Sequence, residues 1–444
     1  MTTLHTPARR SSAIFFLCAC FMLASLVTSA RGENHSGDFP KGKLEQVTQL
    51  LKDAVDQKRI AGGSALIARN GKIAYVTAVG MQDVERGVPL TDSTIFRLAS
   101  MSKPITAAAV MILADDGKLN VTDPLSKYLP EFSDMTVLVV SQDGKSYKIV
   151  KAARPITIHD LLTHTSGLTY RFMGKPFLGQ MYVEAGISDG LVETPGTIGD
   201  KVRTLAQLPL VCQPGETWEY GLNFDVLGRV VEVASGKSLA EFCRERIFRP
   251  LQMNDTCFVL PKGKWSRLSA LFVPGSGQTL TQLGTDQITA GPMVYSATYP
   301  MHEDGRYYSG GAGLVSTLGD YFRFCQMMLN SGELDGVRVL KPESVDRMTR
   351  NQIGKLRIAG GNMAMGYGVG VVTVEGKDRD KEVAAAGSYL WSGAFGTFFW
   401  VDPEAKLIGI LMTQHFPPES GPPDSVLGKD FRRLTYEAMT EDGK

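Results

Sequence analysis

The chain of 444 residues lacks several patterns that would place it in a common functional class. It contains no Cys-x-x-Cys pair, no His/Cys spacing typical of a metal site, and no heptad or longer repeat. Lys and Arg number 47 against 46 Asp and Glu, and no basic block lies beyond the N-terminus. We therefore expect no nucleic-acid partner and no metal site.

Cysteine is also scarce, with six in the whole chain. Cys18 and Cys20 fall within an N-terminal apolar run. The others are spread along the middle and later parts of the chain: Cys212, Cys243, Cys257 and Cys325. A core of this size does not need disulfide bonds, even in an oxidising compartment. Buried free thiols are the favoured interpretation, with one bridge left open.

The N-terminus has the order of features found in a secretory signal. Two arginines precede an apolar run from Ala13 to Val27, and small residues follow up to Ala30. This order predicts a signal peptide over residues 1–30 and export to the periplasm or the outside. The run is short for a membrane span, which needs roughly 20 residues; an uncleaved segment would be the only membrane anchor. Residues 31–43 are predicted to be a flexible lead-in.

Apolar periodicity and turn signals predict a mixed α/β chain of the α+β type. Asn70-Gly71 joins two predicted strands, Ser64–Arg69 and Lys72–Val79, and this dipeptide is a strong hairpin signal. Four more strands are expected near the C-terminus: Tyr367–Val374, Glu382–Ala386, Thr397–Val401 and Leu407–Gln414. Strands at both ends with helices between them indicate one antiparallel sheet built from both termini, flanked by helices, with an inserted, mainly helical lobe.

The predicted domain covers residues 44–440. Its sheet lobe takes in about 44–98 and 366–440, and its helical lobe about 99–365. Neither the length nor the composition predicts an oligomeric state.

Two segments of the helical lobe are expected to depart from regular helices. Asp143-Gly144 marks the turn of an inserted hairpin between Thr136 and Ile156. Thr169–Pro209 shows little periodicity and is predicted to be an irregular lid or substrate wall. A later glycine run, Gly310-Gly311-Ala312-Gly313, is not a phosphate loop, because no Gly-Lys-Ser/Thr follows it.

The strongest chemical signal is Ser100-Met101-Ser102-Lys103 at the start of an apolar helix that continues to Leu113. Ser100 and Lys103 are three residues apart and so share a helix face. The free N–H groups and the dipole at a helix N-terminus favour a developing negative charge. A serine becomes a nucleophile when a neighbouring base takes its proton, and a buried lysine can be that base. The alternative is a polar first turn with Ser100 as a cap and Lys103 exposed.

Two further polar residues have a catalytic and a structural interpretation. Tyr220 lies on a loop before an apolar helix from about Phe224 to Ala234, where its hydroxyl could face a cleft; half-buried packing is the alternative. For His164, a hydrogen-bonded structural histidine at a helix end is favoured over a catalytic one, because Lys103 already supplies a base.

Three motifs in order resemble those of the serine β-lactamase and penicillin-binding superfamily, specifically its class C-like branch, which includes the family VIII carboxylesterases. The motifs are Ser100-x-x-Lys103, Tyr220-Gly221-Leu222 where class C enzymes have Tyr-x-Asn, and Trp391-Ser392-Gly393 where β-lactamases have Lys-Thr-Gly and the esterases Trp-Gly-Gly. The resemblance covers roughly Leu44 to Thr440. It implies the β-lactamase-like fold.

The resemblance also implies a mechanism without a cofactor. Ser100 would attack an ester carbonyl to form an acyl-enzyme, and Lys103 and Tyr220 would share the proton transfer, with either as general base. The backbone N–H groups of Ser100 and Ala394 would form the oxyanion hole.

Substrate contacts implied by the resemblance are Trp391, Ser392, Gly393 and Leu222. Leu222 replaces the Asn that helps class C enzymes bind a β-lactam side-chain amide, and Trp391 replaces their cationic Lys. Both replacements favour an exported carboxylesterase acting on a small ester or amide. A β-lactamase, a D-amino-acid peptidase, an acyltransferase or a catalytically idle binding relative are the alternatives.

Overall fold

The computed structural model describes the chain from residue 39 onward with short gaps. The described residues are 39–40, 42–275, 279–285, 287–290, 293–302, 306–361, 363–375, 384–416 and 426–439. The predicted signal peptide and residues 31–38 of the lead-in lie outside them. Over these ranges, none of the helices has both the length and the apolar character that a membrane crossing requires.

Eight strands from the two ends of the chain form one antiparallel sheet. In chain order they are β1 (Gly62–Arg69), β2 (Lys72–Asp83), β3 (Val88–Pro89), β4 (Met363–Met365), β5 (Gly370–Val372), β6 (Tyr389–Gly393), β7 (Thr397–Asp402) and β8 (Leu407–Thr413). Across the sheet the order is β4-β5-β6-β7-β8-β1-β2-β3, so the first strand of the chain pairs with the last. The predicted fold class is therefore confirmed.

The strand predictions succeeded where turn chemistry marks them. Asn70 and Gly71 both have positive φ, 51° and 77°, as a tight hairpin turn requires. The strand expected over Glu382–Ala386 was wrong for residues 384–386, which are not in a strand, while residues 382–383 lie outside the described chain. The strand β6 that carries the third motif was not predicted, and β5 is shorter than expected.

Ten α-helices are present in the described chain. They are α1 (Glu45–Asp56), α2 (Ser102–Asp115), α3 (Ile158–Leu162), α4 (Leu178–Glu184), α5 (Ile198–Leu205), α6 (Asn223–Ser235), α7 (Leu239–Cys243), α8 (Leu318–Leu329), α9 (Pro342–Thr349) and α10 (Val426–Glu437). A π-helical turn, Arg244–Phe248, extends α7.

Short two-stranded ladders complete the secondary structure outside the main sheet. They pair Phe96–Arg97 with Val315–Ser316, Thr136–Val140 with Tyr147–Lys151, Phe272–Pro274 with Leu280–Gln282, Gln287–Ala290 with Met293–Ser296, and Glu333–Leu334 with Val337–Arg338. The second of these is the predicted inserted hairpin.

The segment Thr169–Pro209 is less irregular than expected, since it contains α4 and α5. Its missed signal is Thr197, whose side chain accepts a hydrogen bond from the Asp200 N–H while the Asp200 carboxylate accepts one from the Thr197 N–H. This capping box begins α5. The apolar content alone was too sparse to predict either helix.

The sheet separates two hydrophobic cores, and β8 shows how. Side chains alternate along a strand, so Ile408, Ile410 and Met412 pack in the core that contains α2 and α8. Leu407 and Leu411 pack on the opposite face in the core that contains α1 and α10. The helix carrying Ser-x-x-Lys thus lies inside the larger core, and all its residues from 102 to 113 are buried.

The cysteines outside the N-terminal run are all free thiols: Cys212, Cys243, Cys257 and Cys325. Cys243 and Cys325 are buried, and burial raises the pKa of the Cys243 and Cys325 thiols. The expectation of free thiols is confirmed for all four, and that of burial for Cys243 and Cys325, while Cys212 and Cys257 are half-buried. A reactive thiolate is not expected at the two buried positions.

Candidate active site

Ser100 occupies a single 3-10 turn, Ala99–Met101, that leads directly into α2. The residue before it, Ala99, has φ of 45°, a left-handed conformation that costs energy for a residue with a Cβ. Ser100 is half-buried, whereas its neighbours on both sides are buried. The turn therefore presents one side chain, that of Ser100, at the edge of the core.

Lys103 lies one turn further along and is fully buried. Its Nζ donates hydrogen bonds to Ser100 Oγ at 3.0 Å and to the Gly311 carbonyl at 2.9 Å. It also lies 4.7 Å from the centre of the Tyr220 ring and 5.4 Å from that of Tyr170, distances at which a cation is attracted to an aromatic face. The alternative of an exposed lysine at a helix cap was wrong.

Tyr220 is the second polar side chain, after Lys103, that contacts Ser100 Oγ. Its hydroxyl donates to Ser100 Oγ at 2.6 Å. Trp218 stacks on the Tyr220 ring with a centroid distance of 5.8 Å and an interplanar angle of 15°. The hydroxyl thus faces the nucleophile candidate, and packing alone does not account for its position.

His164 supports this tyrosine from the buried side. Its ring centre is 4.9 Å from that of Tyr220, and its Nδ1 lies 2.8 Å from the side-chain amide of Asn223. Complete burial, together with the positive charge of Lys103, holds the pKa of His164 well below its ordinary value. The ring is therefore neutral at physiological pH and has the structural role favoured from the sequence.

The third motif lies on β6, which ends against the turn that carries Ser100. A Cβ added at Gly393 would meet the Leu98 carbonyl oxygen at 2.2 Å, so only glycine allows this approach of the two backbones. The Thr397 hydroxyl donates to the same carbonyl at 3.0 Å. This contact places the N–H of the next residue, Ala394, beside the turn that carries Ser100.

The side chains that were expected to contact the substrate differ in their surroundings. Trp391 is buried on β6 with its ring centre 6.1 Å from that of Tyr220, and its indole N–H has no hydrogen-bond partner. Leu222 is 1% exposed and packs in the larger core at the start of α6. Ser392 is also buried beside Trp391. Leu222 therefore offers almost no surface to a ligand, whereas Trp391 borders the catalytic group.

Three residues near Lys103 were not singled out from the sequence. The Gly311 carbonyl accepts a hydrogen bond from Lys103. The sequence signal for Gly311 was the glycine run Gly310-Gly311-Ala312-Gly313, to which no role was assigned once a phosphate loop was rejected. Tyr170 and Asp225 had no signal of their own. Burial raises the pKa of Asp225 to about 6, although hydrogen bonds from Ser309 and Tyr307 and the charge of Lys103 act in the opposite direction.

No group of three or more His, Cys, Asp or Glu side chains is arranged to hold a metal ion in the part of the chain that the structure describes.

The fold and the site together define a class of proteins with a reactive serine. Its features are an antiparallel sheet built from both chain ends, a Ser-x-x-Lys pair at the N-terminus of a buried helix, and a tyrosine hydrogen-bonded to the serine hydroxyl. The chain belongs to the Beta-lactamase family, whose model matches residues 47–431.

Individual relatives are similar over most of their length. Protein Rv1367c of Mycobacterium tuberculosis is 34% identical over 379 residues, which are 83% of this chain and 89% of that protein. Esterase EstB of Burkholderia gladioli is 33% identical over 376 residues, 82% of this chain and 88% of the esterase. Among solved structures, EstCE1, described as a hydrolase with promiscuous acyltransferase activity, gives a TM-score of 0.77 at 27% identity and covers 89% of this chain and 98% of its own.

Proposed function

We propose that this protein is an exported carboxylesterase that forms an acyl-enzyme on Ser100. The observation that carries the proposal is the pair of hydrogen bonds to Ser100 Oγ, from Lys103 Nζ at 3.0 Å and from Tyr220 Oη at 2.6 Å. The similarity to EstB, an esterase, and to EstCE1, a hydrolase, supports a serine hydrolase acting on esters. Export rests on the N-terminal sequence.

In the proposed mechanism, each polar group of the site takes part in one step of ester hydrolysis. Ser100 Oγ attacks the ester carbonyl while its proton passes to the neighbouring Lys103 or Tyr220, both within hydrogen-bond reach. The oxyanion that forms would be met by two backbone N–H groups, that of Ser100 in the turn before α2 and that of Ala394 directly after β6. The same proton then goes to the leaving alcohol. In the second half-reaction, water gives a proton to the same base and attacks the acyl carbonyl. The bond between the acyl carbon and Ser100 Oγ then breaks, the carboxylic acid leaves, and the proton returns to Ser100 Oγ.

The surroundings of the site favour a neutral acyl group. Trp391 flanks Tyr220 with a ring-centre distance of 6.1 Å. Each methylene buried against such a wall contributes about 0.8 kcal/mol. The third motif contributes an indole, which has one N–H and no charge, where a β-lactam carboxylate would require a cation.

Transfer of the acyl group to another alcohol is the second candidate, because EstCE1, to which the chain is similar, is described as having promiscuous acyltransferase activity. A catalytically idle binding protein is disfavoured, since binding alone does not require both Lys103 and Tyr220 to hydrogen-bond to Ser100 Oγ.

Covalent labelling tests the nucleophile. The purified protein is incubated with a fluorophosphonate probe, and its intact mass is compared with that of Ser100→Ala. We expect the wild type to gain one probe and Ser100→Ala to gain none. The matched control is Ser102→Ala, because Ser102 is buried two residues away and its Oγ accepts a hydrogen bond from the Leu314 N–H at 3.1 Å.

Ser102→Ala should label as the wild type does. Labelling of Ser100→Ala to the wild-type extent would refute the assignment, as would an unlabelled wild type that hydrolyses esters.

A further inference from the structure

The inserted hairpin, Thr136–Val140 paired with Tyr147–Lys151, carries a cluster of exposed apolar side chains. Val139, Val140, Tyr147 and Ile149 are between 37% and 47% exposed. Single exposed apolar residues need no explanation, but a contiguous group of them marks an interaction site.

The register of the hairpin places most of these side chains together. Val140 lies opposite Tyr147, and Leu138 lies opposite Ile149. Because alternate side chains share a face, Val140, Tyr147 and Ile149 lie on one face, and Leu138 is its buried end. Residues 142–149 are all exposed, so the apolar face extends to the tip of a projecting hairpin and does not line a groove.

The hairpin is also basic. It contains three lysines, Lys145, Lys148 and Lys151, against a single acidic residue, Asp143. Lys151 lies 3.7 Å from Asp134, and both of these side chains are about 80% exposed to solvent. Such a pair is weak. An apolar tip among lysines combines the two attractions that hold proteins at anionic lipid surfaces.

The base of the hairpin is fixed to the candidate active site. The Leu138 N–H donates to the Leu210 carbonyl at 2.8 Å, on the segment that leads to Tyr220. Next to the tip, the Tyr147 ring lies 4.9 Å from that of Phe177, so this end of the hairpin also contacts the rest of the protein. Phe177 lies seven residues after Tyr170, whose ring packs 5.1 Å from that of Tyr220. A surface that engages the hairpin would therefore adjoin a wall of the site.

We propose that this hairpin docks the protein on a lipid surface with anionic headgroups. Val140, Tyr147 and Ile149 enter the interface, and the lysines contact the headgroups. A second copy of the chain fits less well, because the hairpin has more lysines than acidic residues and two copies meeting there would repel each other. The proposal does not depend on the activity of Ser100, because docking is measured without turnover.

Hydrogen–deuterium exchange on the full chain gives a readout local to the hairpin and separate from the N-terminal apolar run. Vesicles of phosphatidylcholine with 30% phosphatidylglycerol (about one anionic lipid in three, to give a surface potential) are added to the wild type. We expect slower exchange over residues 139–149, lost as salt rises.

Two variants separate the apolar and the charged contributions. Val140→Ser with Ile149→Ser should weaken partitioning onto the vesicles by about 10-fold or more, since two apolar side chains no longer leave water. Lys145→Glu with Lys148→Glu should weaken it by about 10-fold, since two attractions become repulsions. The control is Val337→Ser, because Val337 is 40% exposed on a different hairpin; it should bind as the wild type does.

Unchanged exchange over residues 139–149 at low salt would overturn the proposal. So would equal protection in the Val140→Ser, Ile149→Ser variant. Protection that appears without vesicles and grows with protein concentration would assign the face to a second copy and overturn the lipid docking. Equal protection by pure phosphatidylcholine would overturn the role of the lysines.

Discussion

Asp160 and Asp225 are equally buried, each 2% exposed, but their partners differ. Asp160 accepts hydrogen bonds from both terminal nitrogens of Arg154, at 2.6 and 2.9 Å, and from the Thr157 N–H at 2.8 Å. Asp225 accepts hydrogen bonds from the Tyr307 hydroxyl, at a long 3.3 Å, and from the Ser309 side chain, and both of these donors are uncharged. The two carboxyl groups therefore predict opposite effects of pH on stability.

Burial raises the pKa of Asp225 from 3.8 to about 6. Between these two values the folded chain keeps the proton on Asp225 while the unfolded chain releases it. The unfolded state then binds fewer protons, so the free energy of unfolding falls as pH rises from about 4 to about 6. A shift of about 2 pKa units corresponds to about 3 kcal/mol lost by pH 7.

Asp225→Asn removes this loss because an amide does not ionise. We expect its free energy of unfolding, measured by urea titration from pH 4 to pH 8, to gain on the wild type as pH rises. The gain between pH 4 and pH 7 should approach about 3 kcal/mol, in addition to any pH-independent difference from altered hydrogen bonding. The positive charge of Lys103 lowers the pKa of Asp225, but burial has the larger effect, so the pKa of Asp225 remains raised.

Asp160→Asn is the matched control with the opposite sign. Burial alone would raise the pKa of Asp160, but hydrogen bonds from Arg154 and Thr157 outweigh it and hold the pKa below the usual value. Its contribution to stability is present above the unfolded pKa and is lost as pH falls through the folded pKa. Asp160→Asn should therefore be less stable than the wild type at pH 7, by a margin that shrinks in acid. A difference for Asp225→Asn that does not change with pH would refute the reasoning.

Three further outcomes follow from the site and the N-terminus. Tyr220→Phe removes one hydroxyl and little volume, so kcat for an ester should fall about 10²-fold or more with the thermal unfolding midpoint little changed; near-normal kcat would make Tyr220 a packing residue. Because Trp391 offers no cation, kcat/KM for p-nitrophenyl acetate or butyrate should far exceed that for a chromogenic cephalosporin on the same preparation, and a larger cephalosporin value would favour a β-lactamase. N-terminal sequencing of exported protein should begin near Arg31, and a chain that still begins at Met1 would contradict cleavage.

The sequence predicted those parts of the fold whose local chemistry has one solution. Asn70-Gly71 specifies its turn because both residues tolerate positive φ. Helix α6 ends at Gly236, which has φ of 73°, for the same reason. By contrast, β6 was missed because it is entirely buried and its residues show no alternation of apolar and polar side chains.

The sequence predicted which residues form the catalytic group, but it did not predict all the contacts that hold them in place. The spacing of Ser100 and Lys103 places them on one helix face, and this local relation needs no tertiary information. That Lys103 is also held by the Gly311 carbonyl depends on a loop 208 residues further along the chain. The spacing of Thr157 and Asp160 is a local capping-box signal for one partner of Asp160, whereas the pKa of Asp225 depends on groups that surround it only after folding.

Glycines in the second and third motifs explain why such short motifs can specify the site. A Cβ added at Gly221 would meet the Leu168 carbonyl oxygen at 2.2 Å, and one added at Gly393 would meet the Leu98 carbonyl oxygen at the same distance. Each glycine is the point where a catalytic segment touches a second backbone, next to Tyr220 in one case and next to the Ser100 turn in the other. Because backbone cannot yield as a flexible side chain can, any larger residue at either position must displace the segment itself. The positions of the Tyr220 hydroxyl and of the Ala394 N–H are therefore set by main-chain contact, which leaves the residues facing the cleft free to change with the substrate.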